Sequence, residues 1–147
     1  MRGISVIALA AALAGGGAVA AWLALGGHGV SAVQLAEGRA LYADYCASCH
    51  GVDLEGQPDW RARLPSGRLP APPHDETGHT WHHSDRQLIA ITKHGPGALV
   101  PGYDSDMPGF AGILSDAEIE AVLAYIKSTW PERERAVQAE RSRADPG

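Results

Sequence analysis

The chain has 147 residues, enough for a targeting segment and one domain of roughly 100 residues. Aromatic residues make up only 6%, with a single Phe, which is thin for a core of that size. Glycine (18) and proline (10) are abundant and predict long loops between a few helices, while a net charge of −5 without a basic patch argues against a nucleic-acid partner.

The first element in chain order is apolar. Arg2 is followed by Ile4 to Leu25 without a charge, a run long enough to cross a hydrocarbon core of about 30 Å. Ala18-Val19-Ala20 is also an A-x-A cleavage candidate. Residues 1–25 are therefore expected to be a signal peptide or a membrane anchor. Either one puts the remainder outside the cytoplasm, on the periplasmic side of a bacterial inner membrane. Gly26-Gly27-His28-Gly29 reads as a flexible linker over 26–30.

Three helices follow, each opened by a Ser with Glu or Gln three residues later, the signature of a capping box. Ser31 and Gln34 open the first, which is expected to run to about Cys46. Ser84 and Gln87 open the second, ending near Gly95, and Ser115 and Glu118 open the third, ending before Pro131. Gly38 and Tyr42 share one face of the first helix; Ile119, Val122, Tyr125 and Ile126 line the third. Gly38, lacking a side chain, would let another helix approach closely. After Pro131 the run Glu132-Arg133-Glu134-Arg135 alternates charge without an apolar face, so residues 131–147 are expected to be a solvated or frayed helical extension.

Both cysteines fall in Cys46-Ala47-Ser48-Cys49-His50. C-x-x-C-H is the attachment signature of a c-type haem. Two thiols at this spacing can add to the two vinyl groups of one porphyrin, and the adjacent histidine can then offer a ring nitrogen to the iron. A redox dithiol would need a β-α-β surround, which the pattern lacks. A structural zinc site would need further paired Cys/His ligands. The long Pro- and Gly-rich stretch from Gly51 to His83 needs a purpose in a compact domain, and wrapping a porphyrin supplies one.

A haem iron takes a second axial ligand. Apart from the initiator, Met107 is the only methionine, and it lies in the stiff loop Ser105-Asp106-Met107-Pro108-Gly109-Phe110 ahead of the third helix. The rivals are His74, His79, His82, His83 and His94. With Cys46–His50, Met107-Pro108-Gly109-Phe110 and the faces bearing Gly38/Tyr42 and Val122/Tyr125, residues 31–130 resemble class I c-type cytochromes. The resemblance implies an all-α fold of three or more helices around one covalent haem held through Cys46 and Cys49. It also implies His50/Met107 ligation, crossing first and last helices, and single-electron transfer rather than enzymatic turnover. A loop proline carbonyl commonly steadies the histidine in that family. Pro70, Pro72 and Pro73 are open to that role here, with Pro72 assigned to the cofactor site.

One segment departs from the family pattern. Pro72 to His83 is rich in histidine; a second metal at His79, His82 and His83, such as copper, is one reading, and hydrogen bonds to haem propionates, loop turns and exposed surface are the other. Trp81 and Trp60 are candidate indole donors to haem propionates. Between Ser31 and Trp130, Asp and Glu clearly outnumber Lys and Arg, and Lys93 and Lys127 are the only lysines. A positively ringed docking face is thus not expected, and the redox donor and acceptor, membrane respiratory complexes among them, should present an apolar or basic patch. Two other functions remain compatible with the sequence: a haem subunit of a membrane respiratory or copper-handling complex, and a haem enzyme or gas-binding protein with a labile sixth ligand.

Overall fold

A computed structural model describes residues 29–145. The apolar stretch at 1–25 and most of the linker lie outside the described residues. Among the described residues, no helix is long and apolar enough to cross a membrane.

The domain is all-α. Its elements are α1 (Ala32–Tyr45), α2 (Ala47–His50), a 3-10 turn (Thr80–His82), α3 (Asp85–His94), α4 (Pro96–Leu99), α5 (Asp116–Thr129) and α6 (Glu132–Ala144). The two later capping boxes form in full: Ser84 and Ser115 accept from the backbone N–H of Gln87 and Glu118, whose side chains bond back. Ser31 caps α1 through the forward bond, its hydroxyl oxygen accepting from Gln34 N at 3.1 Å. Such a cap contributes about 1 kcal/mol.

The frame is the crossing of α1 and α5. Gly38 is buried there, and a Cβ on it would overlap the carbonyl of Ala121. One turn on, Tyr42 packs against Tyr125 with ring centroids 5.6 Å apart. α5 buries Ile119, Ala121, Val122, Leu123, Ala124 and Ile126, more than one stripe, because it lies between neighbours on several sides. Burying one large aliphatic side chain contributes about 1.5–3 kcal/mol.

The core divides in two. One cluster holds Tyr42, Ala47, Leu54, Val122, Ile126 and Trp130, with Cys46 and Trp81 at its edge. The other holds Leu88, Phe110, Leu114, Ile119 and Leu123, with Met107 at its edge. Leu41 of α1 packs against both.

The C-terminal segment is the main departure from expectation. It is helical, as its charge pattern suggested, but one side is docked rather than solvated. Gln138 is buried and donates to Asp85 Oδ1 at 2.7 Å. Asp145, just past the helix, accepts from the Ser84 hydroxyl at 2.6 Å and pairs with Arg86. Those bonds hold the Asp145 carboxyl below its ordinary pKa, the Ser84 hydroxyl contributing most and Arg86 next. An apolar stripe is absent because polar groups make this interface.

Candidate haem-binding site

α1 ends at Cys46, whose backbone N–H donates to Tyr42 O at 2.9 Å. The chain turns at once into α2, with His50 N donating to Cys46 O at 2.9 Å. Cys46, Cys49 and His50 thus share one helical turn, where residues three and four apart face the same way. The two cysteines are not joined in a disulfide; Cys46 is half-buried and Cys49 exposed. Burial, and to a lesser degree Cys49, pushes the Cys46 thiol up to about 11. It is therefore protonated near neutral pH, the opposite of the low-pKa thiolate on which a redox dithiol depends.

His50 is buried, at 6% exposure. Its Nδ1 lies 2.8 Å from the carbonyl oxygen of Pro72. A carbonyl can only accept, so Nδ1 carries the proton and Nε2 keeps its lone pair. Burial lowers the ring's pKa, while the bond to Pro72 acts in the opposite direction. Of the three candidate prolines, Pro72 is the one whose carbonyl meets His50. The approach is set by the loop: Gly56 N donates to His50 O at 2.7 Å, and His74 N donates to Leu54 O at 2.8 Å. Tyr42 adds its hydroxyl to Gly51 O at 2.8 Å. That phenol is raised above its ordinary pKa, chiefly by burial, and remains a donor.

Met107 reaches the domain from a different direction. The C-terminal carbonyls of a helix lack intrahelical partners. Here Thr92 O and Lys93 O of α3 accept from Phe110 N at 3.0 Å and Ala111 N at 2.9 Å, laying the loop against the helix end. Gly109 is needed for so close an approach, since a Cβ there would lie 2.7 Å from Lys93 O. Met107 N donates to Ser105 Oγ at 3.1 Å. The flanking Asp104 and Asp106 both pair with Arg68, from the other side of the long loop. Met107 packs at the edge of the second apolar cluster, so it also fills core space.

The histidine-rich segment makes aromatic and turn contacts, in line with the roles weighed beside a second metal. His79 stacks on Trp60, with centroids 5.3 Å apart, and meets His83 edge-on at 5.5 Å. Among the described residues, no three His, Cys, Asp or Glu side chains converge to hold a metal. Trp81 is, from sequence, a candidate indole donor to a propionate. Its single N–H donates to Glu76 O at 3.2 Å, and its ring is flanked by His82 and Arg133. His74, weighed from sequence only as a rival iron ligand, stacks on the face of His50 instead, with centroids 3.9 Å apart.

This donor set fits a covalent haem: two reduced thiols on one turn, a neutral imidazole with a free Nε2, and a thioether, at the edges of two apolar clusters. A small all-α domain with that site is a haem c protein of the class I type. Residues 35–130 match the family model described as Cytochrome c, and the chain belongs to that family. Cytochrome c6 of Synechocystis sp. is 33% identical over 100 residues, covering 68% of this chain and 69% of that protein. The Cbb3-type cytochrome c oxidase subunit CcoP of Rhodobacter capsulatus is 28% identical over 107 residues, covering 72% of this chain and 33% of that subunit. No solved structure matches the chain. Family membership makes the domain an electron carrier, not an enzyme, with haem c attached through Cys46 and Cys49.

Proposed function

We propose that the domain passes single electrons between redox proteins outside the cytoplasm, through an iron held by His50 Nε2 and the Met107 sulfur. One observation carries this reading: the buried imidazole in the turn of the two thiols has its Nδ1–H committed to the Pro72 carbonyl. Such a bond fixes ring tautomer and orientation and raises ligand basicity. The haem supplies a reversible one-electron couple, which Met/His ligation shifts to higher potential. The chain does the rest. Cys46 and Cys49 tether, His50 and Met107 stay in place in both oxidation states, and the two apolar clusters exclude water. Little has to move when an electron arrives.

Met107→Ala tests the ligand assignment. The expected result is a lower midpoint potential and loss of the ferric sulfur-to-iron charge-transfer band. An unchanged potential and band would refute it.

The acidic balance of the domain favours partners with apolar or basic patches. Leu99, Val100 and Ile113, on segments flanking the Met107 loop, are exposed and offer apolar contact. A second reading, a haem subunit of a membrane respiratory complex, draws on the similarity to the oxidase subunit and on the apolar stretch Ile4–Leu25. Detergent extraction separates the two readings. Co-purification with an oxidase supports the subunit, and release as a free small haem protein supports the carrier.

A further inference from the structure

We propose that His74 is a positioning residue that fixes the ring plane of His50. The inference rests on His50 being an axial ligand. The bond between Nδ1 and Pro72 O, at 2.8 Å, anchors one edge of the His50 ring. It sets where Nε2 points but still allows the ring to rock about the line of that bond. A flat surface against the ring face removes this freedom, and His74 provides one, with centroids 3.9 Å apart and planes within 22°.

His74 is itself held by four different parts of the chain. Its N–H donates to Leu54 O at 2.8 Å. Its carbonyl accepts from the Trp130 indole at 2.6 Å. Its Nδ1 is 2.8 Å from the hydroxyl oxygen of buried Thr80. Its ring meets Tyr42 edge-on at 6.3 Å and 72°. Trp130, itself 1% exposed, ties this support to the end of α5. An aliphatic residue could fill the same volume, but it would present no plane and no polar edge for Thr80 to hold.

The orientation of an axial imidazole plane governs its π overlap with the iron d orbitals. The readout is therefore magnetic: ferric low-spin electron paramagnetic resonance and the paramagnetically shifted proton resonances of His50. In the intact holoprotein, His74→Leu is expected to displace and broaden the g values and to disperse the His50 shifts. His74→Phe keeps a flat ring but loses the Thr80 bond, so it is expected to recover most of the change and to match the small shift of Thr80→Val. Thr80→Val, which frees the His74 ring edge, is expected to give a smaller change in the same direction. A purely space-filling role would leave the His74→Leu spectrum at its wild-type values and would overturn the proposal. If His74→Leu does not fold with haem, an unmoved spectrum in Thr80→Val overturns it equally. The underlying ligand assignment fails separately, if His50 of the unaltered protein has no paramagnetic shift.

Discussion

His50 is held from inside the molecule, by a backbone carbonyl, a stacked ring and a helix turn that also bears the two thiols. Met107 is held from its flanks. The loop after it lies on the end of α3, and the loop before it is pinned by Arg68 to two exposed carboxylates. The first set surrounds a buried ring and uses no ion pair. The second includes ion pairs that salt screens. Under the proposed ligation, the two protein ligands would thus be held to different standards of rigidity, with Met107 on the side more exposed to salt.

Substitutions can break this comparison at three levels. The largest effect is expected at the shared frame. Gly38→Val would force a branched side chain into the Ala121 carbonyl, where no flexible atom can give way. It should cost about 3 kcal/mol or more in urea unfolding of the holoprotein, with both sides of the site loosened together. A smaller effect confined to the His50 side is expected from Trp130→Phe. The His74 carbonyl loses its donor, at about 1 kcal/mol. Displacement of Met107 by added imidazole should be unchanged. The smallest effect belongs to the methionine side. Arg68→Met should leave global unfolding unmoved while easing that displacement. The wild-type protein should show the same easing as salt rises, and the variant should have lost that salt response. A variant whose displacement still depends on salt would mean that Arg68 is not the clamp.

Local chemistry made much of this legible from residue order. The capping boxes at Ser84 and Ser115 form because hydroxyl and carboxamide or carboxylate partners sit three residues apart. Cys46 to His50 is a single turn, and Gly38 marks the crossing because only a missing side chain permits it. The features that were not legible depend on contacts between distant segments. Pro70, Pro72 and Pro73 are indistinguishable until Gly56 and Leu54 fix the path of the loop. Trp81 looked free until the turn brought Glu76 O to its indole. His74 gives no signal at all, because stacking on a residue 24 positions earlier has no period. The docked face of α6 was missed for a related reason, since hydrogen-bonded interfaces leave no hydrophobic stripe.

The docking of α6 also bears on where the folding unit ends. The family match stops at Trp130, but the chain continues and bonds back to the start of α3. A minimal fragment trimmed to the homologous boundary would strip Ser84 of Asp145, and Asp85 of Gln138, and bare the ground beneath them. For anyone excising this domain for a chimera, the safe place to cut lies beyond the last residue of the seam, not at the edge of the ancestry.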